Sequence, residues 1–354
     1  MTRRTAPAPA ALLAALLLAL LVPTARAAQS AYDLTERANA LYRSGRYAQA
    51  ILLYRKAEAR GGDPSALSFN VANCLYRLDR LPEAAAAYRK AVGFSDGKFA
   101  PALFNLASVL FRLDQFPESV AAYRRALAVD PSDAAGWLNL AEACSRAGDK
   151  VCALRATEKG RLLDPDDLGT VYRLSEAHLA LDDFDDAVRT IREGFEAHPE
   201  EIDLLVYLGD VHRMRKKPAG AAEAYREALG LRPDDAETMY KLADALAEDG
   251  KEFSAMDVLA EILRIRPDFT DAAIFLGNLA YDAKFAERAE AAYEQAAVHG
   301  NPEALYGLKN LAYDAHAAKR DAEAVRILEK ALSLFPGDAT VEADLLQIRG
   351  EESR

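Results

Sequence analysis

Five histidines, three cysteines and a large stock of carboxylates are the residues of this 354-residue chain able to do chemistry. The histidines are His178, His198, His212, His299 and His316, and two of them, His178 and His212, stand 34 residues apart. That spacing invites a shared metal ion. A helical reading instead makes both of them packing residues on neighbouring helices roughly 10 Å apart, which is the reading we favour. No H-E-x-x-H, no G-x-S-x-G and no phosphate-cradling loop occurs in the sequence. Carboxylates are plentiful, but no pair is singled out. The expectation is therefore no catalytic residue, no metal and no cofactor, and a protein that is not an enzyme.

The cysteines are Cys74, Cys144 and Cys152. Cys144 and Cys152 lie four residues to either side of Gly148, so across an antiparallel turn they can face each other. A bridge requires their Cα atoms to come within about 7 Å. The alternative is two small residues packed in a hairpin. Cys74 is too distant to join them and reads as a buried thiol.

What must position such residues begins after residue 27. Residues 1–27 carry Arg3 and Arg4, an apolar run from Ala11 to Val22, then Ala25-Arg26-Ala27. This is the order of a cleaved secretory signal peptide. The apolar run is 12 residues long, short of the ~20 a membrane helix needs. Export to the periplasm, or secretion, is the expectation, with no stable membrane anchor after cleavage. Beyond residue 27 the chain holds 41 basic and 55 acidic residues. Such an acidic balance argues against nucleic acid, whose binding needs a positive face.

The rest of the chain keeps a period. Pro131, Pro165, Pro199, Pro233 and Pro267 are spaced by 34, and Pro302 and Pro336 continue the series at 35 and 34. Small residues keep the same time: Ala50, Ala84, Ser119, Ala153, Ala187, Ala221, Ala255, Ala289 and Ala324 fall at one position. Twelve residues earlier come Ala38, Ala72, Ala107, Ala141, Ser175, Gly209, Ala243, Gly277 and Ala312. Small residues on two helical segments let the helices approach closely. Turn formers such as Ser44-Gly45 and Asp249-Gly250 lie between the segments.

This pattern resembles the tetratricopeptide repeat, a 34-residue helix–turn–helix unit. The best single match carries Leu106, Ala107, Leu110, Phe116, Tyr123, Ala126 and Pro131 at the family's marked positions. It is weaker at Ile262 and near Lys284-Phe285-Ala286, where the aromatic stands one residue out of place. The resemblance implies an all-α, right-handed superhelical solenoid of about nine units over residues 28–338. The units start near 31, 65, 100, 134, 168, 202, 236, 270 and 305, and a capping helix and tail occupy residues 339–354. One helix pair cannot bury its apolar stripe alone, so each uses its neighbours as core.

In this family, ligands commonly lie on the concave face made by the first helices. Carrying the family's contact positions onto this chain gives two surfaces. The N-terminal one holds Asn39, Phe69, Asn70, Asn73, Tyr76, Arg77, Phe104, Asn105, Phe111, Arg112, Asn139 and Arg146. Amides offer donor and acceptor to an extended backbone, arginines pair with carboxylates, and rings add apolar area. The C-terminal one is acidic: Asp203, Asp210, Glu237, Asp244, Glu248, Asp271 and Asp282, with Arg213 and Lys241 as exceptions. The expected function is a protein–protein interaction scaffold of the cell envelope, binding an extended peptide or partner protein in the groove. A glycan- or cell-wall-binding accessory is the alternative; it would pair exposed rings with acids rather than with arginines.

Overall fold

The computed structural model describes residues 30–352. The expected signal segment, residues 1–27, lies outside them. The described residues form 19 α-helices, arranged as nine helix pairs followed by one more helix. First helices are α1 (Ala31–Arg43), α3 (Pro64–Arg77), α5 (Ala100–Arg112), α7 (Ala134–Arg146), α9 (Leu168–Ala180), α11 (Asp203–Met214), α13 (Ala236–Glu248), α15 (Thr270–Asp282) and α17 (Glu303–Ala317). Their partners are α2 (Tyr47–Glu58), α4 (Leu81–Phe94), α6 (Phe116–Val129), α8 (Lys150–Leu163), α10 (Phe184–Ala197), α12 (Pro218–Leu231), α14 (Glu252–Ile265), α16 (Ala286–Val298) and α18 (Asp321–Leu334), and α19 spans Ala339–Glu352.

Each turn inside a pair is closed by one residue in the left-handed region: Gly45, Asp79, Asp114, Gly148, Asp182, Lys216, Gly250, Lys284 and Lys319. Glycine enters this conformation without steric cost, and short polar residues such as Asp tolerate it. The turn is thus fixed by backbone geometry while its side chain varies. At Phe285 the aromatic occupies the N-cap of α16, whereas Phe116 and Phe184 are the first residues of α6 and α10. This is the one-residue displacement visible in the sequence.

The small residues sit where helices touch. Ala38, Ala50, Ala72, Ala84 and Ala107 are fully buried. At Gly209 an added Cβ would stand 2.3 Å from Tyr225 Cε1, so only hydrogen fits there. Ile262, where the repeat expects a small residue, is also fully buried, accommodated within the core rather than expelled.

The helices divide into two compact units, one ending at Pro165 and the other beginning at Asp166. In the first, consecutive helices α1 to α8 pack each on the next around one core from Leu34 to Ala156. In the second, α9 to α19 do the same around two clusters, one from Val171 to Ala228 and one from Ala221 to Ile348. Val341, Leu345 and Ile348 of α19 are buried against this last cluster. Asp344 of α19 accepts from Tyr313 at 2.6 Å and pairs with Lys309 at 2.9 Å, which ties the final helix to α17. No helix of the described residues is long and apolar enough to cross a membrane.

Candidate binding faces of the first helices

A tyrosine on the second helix reaches back to the first in five of the nine pairs. Tyr54, Tyr88, Tyr225 and Tyr293 donate to Asn39, Asn73, Asp210 and Asn278 at 2.6, 2.6, 2.6 and 2.8 Å. Tyr123 shares a 2.9 Å hydrogen bond with Ser108. Each partner lies 15 residues before its tyrosine. Where that residue is Thr157, Ile191, Leu259 or Leu328, no hydroxyphenyl is available to make the bond. Burial pushes the Tyr293 phenol up to about 12 and raises the others as well.

These bonds sort the asparagines of the N-terminal face into two kinds. Asn39 and Asn73 have their carbonyl oxygens engaged by tyrosines, and Asn73 also accepts from Asn105 Nδ2 at 3.3 Å. Asn39 Nδ2 donates to Glu36 at 3.1 Å. Asn70 and Asn139 make no side-chain hydrogen bond to the described residues. Asn39, Tyr42, Arg43, Tyr54, Asn70 and Asn73 together line a cavity of about 240 Å³. The tyrosine bond orients the Asn73 amide and leaves its Nδ2 as a donor beside Asn70.

The arginines form a ladder, each leaning on a ring of the preceding repeat. Arg112 lies 5.0 Å from the Tyr76 centroid and Arg146 lies 5.6 Å from Phe111 and 4.8 Å from Phe116. The Tyr42 hydroxyl, bonded to Arg77, strengthens that guanidinium's hold on its proton. Arg112 also pairs with Asp79 at 2.7 Å, and Arg146 approaches Asp114 at 3.9 Å. All three remain solvent-exposed, and exposed pairs of this kind are individually weak. Phe69 and Phe104 are half-buried. Phe69 packs on Phe99 at 5.0 Å, and Phe104 fills the space above Gly136, where a Cβ would meet its ring at 2.6 Å.

The acidic face in the second unit is largely neutralised by cations from adjoining repeats. Asp210 pairs with Lys241 at 2.7 Å, and Arg213 bridges Asp244 at 2.6 Å and Glu248 at 2.8 Å. Arg232 meets Asp203 at 3.0 Å and Arg266 meets Glu237 at 3.1 Å. Asp271 and Asp282 have no cation partner among the described residues. Sequence reasoning had the sign of this surface and missed the pairing, although offsets of 29, 31 and 35 residues encode it.

In the structure Cys144 and Cys152 are disulfide-bonded, their Cα atoms 5.7 Å apart. Cys74 is a buried free thiol, and its burial pushes the thiol pKa up to about 11. His178 and His212 each bury an Nδ1 that has no hydrogen-bond partner among the described residues.

A family model, described as tetratricopeptide repeat, matches residues 35–99, 104–160 and 172–236. A second model of the same description matches residues 213–279. The chain belongs to the tetratricopeptide repeat family. Among solved structures, it resembles the C-terminal part of a repeat protein of this family from Cytophaga hutchinsonii, at 17% identity and a TM-score of 0.50. That match covers 78% of this chain and 99% of the other. A tetratricopeptide repeat protein from Parabacteroides merdae matches at 17% identity and a TM-score of 0.45, over 71% of this chain and 99% of that one. YrrB, described as having an unusual peptide-binding site, matches at 19% identity and a TM-score of 0.40, over 57% of this chain and 99% of its own. These likenesses are of fold. No curated protein matches the chain. Repeat proteins of this family are typically non-catalytic, and membership supports a protein–protein interaction scaffold.

Proposed function

We propose that the chain is a non-catalytic scaffold of the cell envelope that holds an extended segment of a partner polypeptide along the first-helix face of its N-terminal unit. The observation that carries this reading is the unused amide of Asn70 beside the oriented amide of Asn73, at the wall of the 240 Å³ cavity. Paired donors and acceptors suit a peptide backbone, whose groups alternate in the same way. Asn139 repeats the unused amide further along the same unit. The ring-stacked arginines add charge-assisted donors for acidic side chains of the partner. Placement in the envelope rests on the charged, apolar and A-x-A order of residues 1–27.

Capture from an envelope extract tests this reading, with residues 28–354 as bait beside the Asn70→Ala/Asn139→Ala variant. A protein held by the parent and released by the variant is the expected result. Identical captures on both baits would contradict it. Cleavage after Ala27 is checked by the N-terminal sequence of the chain recovered from the producing cell.

A further inference from the structure

The neutralising pattern of the second unit stops at one place. The acid near the start of a first helix meets an arginine 29 residues later, as Asp203 meets Arg232 and Glu237 meets Arg266. For Asp271 the residue at that offset is Gly300. The acid at the end of α13, Glu248, meets Arg213, 35 residues earlier. For its counterpart Asp282 at the end of α15, the residue at that offset is Ala247. The repeat that carries Asp271 and Asp282 thus lacks the basic residue at both offsets.

Beside this break lies a cavity of about 520 Å³ between α15, α16 and α17, and no lysine or arginine among the described residues lines it. Its walls include Asn278, Tyr281, Asp282, Glu303, Tyr306 and Asn310. Asp282 and Glu303 have no cation partner among the described residues. The Tyr306 ring is 71% exposed. The Asn278 oxygen is engaged by Tyr293, which leaves its Nδ2 as a donor. Lys284 lies over the Tyr281 ring, 5.2 Å from its centroid, so one ring of this wall already holds a cation by its face. Carboxylates and an exposed tyrosine face together are the complement of an ammonium or guanidinium group.

We infer that this cavity receives a lysine or arginine side chain of a partner polypeptide, the ligand supplying the cation that the repeat pattern omits here. The inference rests on the scaffold reading only in taking the partner as a polypeptide. The site lies in the other unit, on different residues.

The experiment is calorimetric titration of the full chain with N-acetylated, C-amidated pentalysine, alongside pentaglutamate and the neutral sugar chitotetraose. Pentalysine binds the parent. Tyr306→Ala weakens it about tenfold although the net charge is unchanged, as expected for loss of a ring–cation contact together with its packing. Asp282→Asn weakens it to a similar extent. Glu196→Gln, an exposed acid on α10, leaves it unchanged, as does Asn70→Ala/Asn139→Ala; that second control separates this site from the N-terminal face. Absence of pentalysine binding overturns the inference. So does equal weakening by Glu196→Gln, which would mean diffuse attraction to an acidic protein. Binding of chitotetraose that is lost in Tyr306→Ala, with pentalysine unaffected, would assign the cavity to glycan instead. Tyr306 and Asp282 are exposed, so the variants fold and each outcome is readable.

Discussion

The Tyr225 hydroxyl donates to Asp210 at 2.6 Å, and the same carboxylate takes Lys241 at 2.7 Å, so one acid joins its own second helix to the next repeat. The bond recurs between Tyr54 and Asn39 and between Tyr88 and Asn73, where an amide replaces the acid. Tyr88→Phe removes one such bond without opening a cavity. It is expected to cost about 1 kcal/mol, measured by urea unfolding. Because it frees Asn73 to rotate, it is also expected to weaken capture of the partner.

Asn70→Ala with Asn139→Ala removes two amides that bond to no described residue. Stability is expected to stay within about 0.5 kcal/mol of the parent. Asn73→Ala, which removes the acceptor of the buried Tyr88 hydroxyl, is expected to cost about 1–3 kcal/mol. Comparing the two by thermal unfolding separates surface amides from framework amides.

Glu290 is buried and accepts two hydrogen bonds from Arg326 at 2.7 Å, with Lys330 at 3.1 Å. Arg326 and Lys330 hold its carboxyl below the usual carboxylate range. Arg326→Ala leaves Lys330 in place and is expected to cost about 1–2 kcal/mol, since the guanidinium is half-exposed. Glu290→Gln should recover part of that loss in the double variant, because an amide needs no counter-charge.

His212 is expected to make the fold acid-sensitive. Burial lowers its pKa first, and Arg192, Lys217 and Arg215 lower it further, while Glu223 opposes them. With the folded value depressed, the unfolded chain takes the proton first. The contribution is therefore complete above the unfolded value of 6.5 and is lost as pH falls from there through the lowered folded value. His212→Gln is expected to flatten the dependence of Tm on pH below about 6.5. An unchanged slope would contradict this.

Alkylation of the unreduced, unfolded chain is expected to modify one thiol, Cys74, and to modify all three cysteines only after reduction. In the folded chain Cys74 is expected to resist the reagent, because its thiol is buried and its pKa raised. Reduction of the Cys144–Cys152 bridge, which closes a short loop, is expected to cost about 2–3 kcal/mol.

The fold was legible because its constraints are steric and recur. Small residues, chiefly alanine and glycine, recur where two helices touch, and proline follows the second helix in the last seven pairs, so a period of 34 exposes both. The division at Pro165 leaves no mark in composition, since no linker accompanies it. The binding faces were legible as residue types and not as states. Asn73 and Asn70 are alike in sequence, and what separates them is a hydroxyl 15 residues downstream of Asn73. The acids of the second unit look alike until the arginines at fixed offsets are counted, and only then do Asp271 and Asp282 stand apart.

The most direct measurement is amide hydrogen exchange of residues 28–354 with and without the captured partner. The account predicts added protection in α3 and α7, which carry Asn70 and Asn139, with α2, α4 and α6 little changed. Protection confined to those second helices, or absent from the N-terminal unit altogether, would contradict it.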